Sequence, residues 1–187
     1  MERDEALAIV KQHLPEKRYI HTIGVMETAI ELAKKYGCDE RKAELAGIFH
    51  DYAKYRPVEE MRQVIIKERM PQELLKFHSE LWHGPVGAFL VKKEVGISDE
   101  EILHAIRYHT TGRPNMTVLE KVVFLADYIE PGRKFPGVEE VRVMAQTSLD
   151  DAVFRALQNI IIFLTSQKSA IYKDTIDTYN SFLLKTR

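Results

Sequence analysis

Apolar residues recur at three- and four-residue steps along nearly the whole chain, and that spacing leaves little room for anything but helices. Leu7, Val10 and Leu14 begin the pattern, and Val25, Ala29, Leu32 and Ala33 continue it, each set lying on one face of a helix. A strand would show as a run of alternating residues, and no such run is found. The punctuation agrees. Pro15 suits a helix first turn and Gly37 its end. Asp39 can cap the next helix, which carries Ala43, Ala46, Gly47 and His50 toward Lys54, and Pro57 starts another. Ser98 with Glu101, Thr117 with Glu120 and Ser148 with Asp151 resemble N-terminal capping arrangements. Breaks at Gly84-Pro85, Gly112-Arg113-Pro114 and Pro131-Gly132 separate helices without making linkers, and there is no internal repeat. The prediction is an all-α, single-domain fold over residues 1–187. Ile171, Ile176, Tyr179, Phe182 and Leu183 predict a terminal helix packed on the core, with a role in self-association as the alternative.

Composition narrows the function classes. With 187 residues the chain can bury one substantial core without a second domain. A formal net charge of -1 gives no general attraction to nucleic-acid polymers or anionic membranes. Cys38 is the single cysteine, which excludes internal disulfides and thiolate clusters. The start, MERDEALAIV, does not read as a secretory signal, and IIIFL at 160–164 is too short to cross a bilayer. A reduced, cytoplasmic setting is expected.

Six residues of metal-binding type run along this framework: His21, the adjacent pair His50-Asp51, His83, His109 and Asp127. The pair is read as lying inside an apolar helix, ELAGIFHDYAK, where an ionisable dipeptide is costly to bury without a partner. A transition metal accepts imidazole nitrogen and carboxylate oxygen together. Asp127 lies in VVFLADYIEP, another apolar helix, where a cap or an arginine would be the structural alternative. His21, His83 and His109 taken singly read more readily as hydrogen-bonded core or boundary residues than as ligands. His13 and His78 read as surface residues. His104 points about 140° away from His109 on one helix, so it is read as structural.

The order H…HD…H…H…D resembles the HD-domain metal-dependent phosphohydrolases. The local wording is closer to one branch: RYIHTIGV at 18–25, GIFHDYAK at 47–54, WHGPVGA at 82–88, RYHTTG at 107–112 and LADYIEPGR at 125–133. Together these are similar to the YqeK family of symmetrical bis(5'-nucleosyl)-tetraphosphatases. The resemblance implies an HD-type helical bundle with its site motifs within 18–133. It implies one cation held by His21, His50, Asp51 and Asp127, and a second held by Asp51, His83 and His109. It points to iron, while the nitrogen and oxygen donors alone also admit manganese, zinc, cobalt or nickel.

The implied reaction is hydrolysis of diadenosine tetraphosphate to two ADP by a metal-bound hydroxide, with Asp51 as a catalytic residue; Lys54, three positions after Asp51 and close to the same helical face, is read as a second. No Ser or Cys nucleophile is required, and no P-loop or GxGxxG is present. Lys54 and Arg133 are candidate phosphate contacts. Thr110, Thr111 and Gly112 could offer hydroxyl or N–H groups, and Tyr128 or Tyr108 could stack on a base. An HD-type nucleotidase or nucleoside di- or triphosphate hydrolase stays open, as does a nucleotide-binding protein with a structural metal. A small nucleotide is the expected partner, and the chain is expected as a monomer or homodimer.

Overall fold

A computed structural model describes residues 1–184. Ten α-helices are present among these residues: α1 (Arg3–Lys11), α2 (Glu16–Tyr36), α3 (Glu40–Phe49), α4 (Val58–Lys67), α5 (His83–Leu90), α6 (Glu100–Tyr108), α7 (Val118–Ile129), α8 (Val138–Met144), α9 (Leu149–Ser166) and α10 (Lys173–Leu184). Short 3-10 turns at Gln72–Lys76 and Ser79–Leu81 lead into α5, and a π turn at Val91–Val95 leaves it. No strand occurs among the described residues. None of the described helices is long and apolar enough to cross a membrane.

The helix ends follow side-chain chemistry read from the sequence. Asp39 accepts from Lys42 N, and Ser148 from Asp151 N. Thr117 and Glu120 form a reciprocal capping box, and Gly37 closes α2 at φ 73°. Two expectations need correction. Asp99, not Ser98, caps α6, because its carboxylate accepts from both Glu101 N and Ile102 N. The helix bearing the His-Asp pair stops at Phe49, so His50 is its C-cap and Asp51 lies in the turn beyond.

α2 forms the spine, packing on α3 and α7, while α6 packs on α3, α5 and α7. Small residues let these helices approach closely. Ala29, Ala33, Ala43, Ala46, Ala105 and Ala126 have no exposed surface. A Cβ on Gly47 would stand 3.0 Å from the Cα of Met26 in α2. α9 packs on α7 and α8, and α10 packs on α9. Thr178 of α10 is fully buried, with its hydroxyl donating to the Thr111 carbonyl at 3.3 Å. The terminal helix thus lies against α9 and the turn after α6, and residues 185–187 of that segment lie outside the described residues.

Gly84 and Gly87 of α5 make opposite predictions. A Cβ on Gly84 would stand 2.7 Å from the Arg107 carbonyl oxygen, so Gly84→Ala must push α5 from α6 and should cost about 1–3 kcal/mol. A Cβ on Gly87 meets only ordinary contact at 3.6 Å, so Gly87→Ala should be neutral or stabilising by up to ~1 kcal/mol from helix propensity. Urea-unfolding midpoints of the two variants check the contrast, and equal effects would contradict it.

Candidate metal centre

Two helices end on a histidine. His50 follows α3 and His109 follows α6, and each points Nδ1 at a carbonyl of its own last turn, Gly47 O and Ile106 O, at 2.7 Å. Carbonyls in the last turn of a helix lack an intrahelical donor, so the imidazole N–H supplies one. The same bond sets the tautomer and turns Nε2, with its lone pair, away from the helix. His83 opens α5, and its Nε2 is 3.0 Å from His109 Nε2. His21, on the second turn of α2, points Nε2 to the same place.

Asp51 stands between these rings with no exposed side-chain surface. Its two oxygens face different pairs. Oδ2 is 3.0 Å from His50 Nε2 and 3.8 Å from His21 Nε2, while Oδ1 is 3.1 Å from His83 Nε2 and 3.9 Å from His109 Nε2. Asp127, near the end of α7, closes the first group: its Oδ1 is 3.0 Å from His21 Nε2 and 3.8 Å from His50 Nε2.

These groups lack enough hydrogen-bond partners of their own. His21 Nε2, His50 Nε2, Asp51 Oδ1 and His83 Nδ1 are buried without a hydrogen bond of good geometry. Buried polar atoms are ordinarily satisfied, so a cluster of orphans marks a binding site. Donors bound at ~2.0–2.2 Å to one cation stand roughly 3 to 3.5 Å apart, close to the 3.0 to 3.9 Å found here. Donor atoms of His21, His50 and Asp127, and separately of His50, Asp51 and His109, all lie within 4.8 Å of one another. The set holds nitrogen and oxygen and no sulfur, which suits first-row divalent metals. The residues fit a metal site.

Charge is already unbalanced there. Burial opposes ionisation of Asp51, yet the neighbouring His50 and His83 hold its carboxyl well below the usual range. Asp127 is held down likewise, against burial, by the adjacent His21 and the charges of His50 and Arg133. Burial also opposes a charge on His50, but Asp51 outweighs it and pushes the imidazole up. His109 moves the other way, to about 3, through burial and the charges of His83 and His50. It is therefore neutral at physiological pH, the form that donates to a metal.

Three basic residues close in sequence to His21, Asp51 and Asp127 are paired with acids. Arg18 reaches Asp51 Oδ2 through Nε, Arg133 reaches Asp127 Oδ1, and Lys54 pairs with Glu80. Tyr128 is half-buried, with its ring 5.0 Å from that of Phe135. The turn after His109 packs on the terminal helix. Gly112, at φ 66°, presses against α10, where a Cβ would come within 2.7 Å of Thr178 Cγ2, and its N–H is spent on Tyr108 O. Thr111 is buried and donates its hydroxyl to Gly112 O. Thr111 and Gly112 are thus packed against α10, with these polar groups bonded within the protein. Thr110 and Thr111 both line a crevice with Pro85, Arg107, Tyr172 and Asp174.

Among the other histidines, His78 is exposed, whereas His13 is half-buried against the Tyr52 ring at 4.7 Å. His104 is exposed on α6, not structural. Two site residues were not anticipated. Arg18 sits one turn before His21. Glu130 is 4% exposed, and its Oε1 lies 3.0 Å from His21 Nδ1. Glu130 falls three residues after Asp127, so its place on the same side of the α7 terminus was open to helical spacing.

Comparison with known proteins places these features. The HD domain model matches residues 18–132. A Bacillus subtilis protein named symmetrical bis(5'-nucleosyl)-tetraphosphatase is 59% identical, over 96% of this chain and 97% of its own length. A protein of the same name from Halalkalibacterium halodurans is 58% identical over the whole of both chains. The crystal structure of a Clostridium acetobutylicum protein, described as a predicted HD superfamily hydrolase involved in NAD metabolism, is also similar. It superposes with a TM-score of 0.94 at 41% identity, covering 99% of this chain and 98% of that one. The histidine and aspartate cluster is the centre of the region that the domain model spans, and the chain belongs to the HD-domain family.

Proposed function

We propose that this chain is a metal-dependent hydrolase of dinucleoside polyphosphates that splits diadenosine tetraphosphate at its central anhydride into two ADP. The names of relatives at 58% and 59% identity over nearly full length support the substrate. One observation carries the chemistry: Asp51 turns one oxygen to His21 and His50 and the other to His83 and His109. A carboxylate so placed can bridge two cations, with His21, His50 and Asp127 completing one set and His83 and His109 the other. Iron is our choice of metal, and manganese, zinc, cobalt and nickel suit the same donors.

Cations held there lower the pKa of a coordinated water toward ~7 and withdraw charge from phosphoryl oxygens. The chain's own residues do the rest. Arg18, Lys54 and Arg133 serve as charge-assisted donors for the phosphates. Asp51 ties the two halves of the site together, and the buried walls exclude bulk water from the reacting phosphorus. Lys54 is placed to hold a phosphoryl oxygen or pass a proton. Tyr128, with Phe135 against it, offers an aromatic surface for a base. The substrate is a small molecule, the setting is the cytoplasm, and a monomer or homodimer suffices.

Chromatography of the products formed from diadenosine tetraphosphate by metal-loaded protein should show ADP alone. AMP with ATP, or no turnover with any of the five metals, would refute the reading. Asp51→Ala should lower turnover by more than the ~10–100-fold typical of residues outside a ligand set, with the helical circular dichroism kept. Loss of the fold instead would favour a structural metal. Lys54→Met and Arg133→Met should each lower kcat/KM by about tenfold or more, as expected for a lost charged hydrogen bond. Unchanged kinetics would remove them from the phosphate site.

A further inference from the structure

We infer that Glu130 is a positioning residue for the metal centre, locking His21 in the tautomer that turns Nε2 toward Asp51 and Asp127. This rests on reading His21 as a metal ligand. The bond from His21 Nδ1 to Glu130 Oε1 spans 109 residues of sequence and is buried. The second oxygen is committed as well, since Oε2 accepts from Gly132 N. The backbone of Glu130 is pinned: its N–H donates to Ala126 O, and its carbonyl accepts from Arg133 N and from Arg142 Nη2. A side chain held this firmly can fix the ring it touches.

Space has been cleared for this carboxylate on both sides. A Cβ on Gly24, one turn after His21 in α2, would stand 2.7 Å from Glu130 Oε2. A Cβ on Gly132 would stand 2.9 Å from the same oxygen. Glycine inside a helix costs about 1 kcal/mol relative to alanine, and the approach of Glu130 gives α2 a reason to carry one there.

The chemistry demands a carboxylate rather than any polar group of that size. Both neighbours are donors, the His21 Nδ1–H and the Gly132 N–H, and a carboxylate accepts from both. A glutamine has one acceptor and one donor. It must either oppose the Gly132 N–H or present its NH2 to Nδ1, which would move the imidazole proton to Nε2 and block the ligand atom. Partners of this kind fix ring orientation and typically change metal affinity by ~10–100-fold.

The test uses the full-length, metal-free protein titrated with Co2+ and followed by visible absorption, alongside 15N spectra of its histidines at a pH where His21 is neutral. Wild-type His21 should carry its proton on Nδ1. Glu130→Gln should shift that proton toward Nε2 and weaken Co2+ binding by ~10–100-fold with melting behaviour nearly kept. Gly24→Ala should weaken Co2+ binding similarly, by displacing the carboxylate, although alanine favours the helix. A wild-type proton on Nε2, or Co2+ affinity unchanged in both variants while His21→Ala weakens it, overturns the inference and leaves the ligand assignment standing. Unchanged Co2+ binding in His21→Ala overturns both. If Glu130→Gln does not fold, Gly24→Ala and the wild-type spectrum decide.

Discussion

Asp51 has no contact with water, and an ionised carboxylate in that position costs several kcal/mol unless positive charge faces it. The surrounding helices increase the demand. α3 and α6 end beside the carboxylate, and α7 ends just past Asp127. A helix C-terminus carries partial negative charge, so three helix ends and two acids point the same sign at one cavity. In the protein alone, His50 answers by holding a proton more tightly and Arg18 by pairing with Asp51. A pair of divalent cations would answer more fully.

The donors come from α2, α5, α7 and the ends of α3 and α6, so helix packing sets the distances between them. A binding constellation tolerates errors of only about 0.5 Å. That explains the alanine and glycine contacts between α2 and α3, and the approach of Gly84 to the Arg107 carbonyl. The bracing extends past the region that the domain model matches. Thr178 of α10 packs on Gly112 and bonds the Thr111 carbonyl, holding the turn that follows His109.

What could be read in advance was the residue chemistry; what could not was whatever depended on distant partners. Helical spacing and caps at Asp39, Thr117 and Ser148 were visible as letters. The end of α3 was not, because no glycine or proline follows His50 until Pro57, and the stop is made by the His50 ring on the Gly47 carbonyl. Asp99 displaced Ser98 because one carboxylate oxygen serves two N–H groups. Arg18 and Glu130 lay inside stretches already singled out, but their roles come from Asp51, 33 residues from Arg18, and from His21, 109 residues from Glu130. No local pattern encodes either distance.

Arg18, Lys54 and Arg133 differ in how readily they can leave their acid partners for a phosphate. Lys54 is paired with Glu80, whose side chain is 61% exposed, and exchanging a surface pair costs about 0–1 kcal/mol. Arg18 is paired with Asp51, which is fully buried, and leaving such a partner bare costs about 3–5 kcal/mol. Arg18 can therefore release Asp51 only when another positive charge takes its place. On the proposed reading, Asp51 and Asp127 would hold the cations, and Arg18 and Arg133, released from those carboxylates, would be free to pair with phosphate. Metal and substrate then strengthen each other's binding by the same factor, as linkage requires.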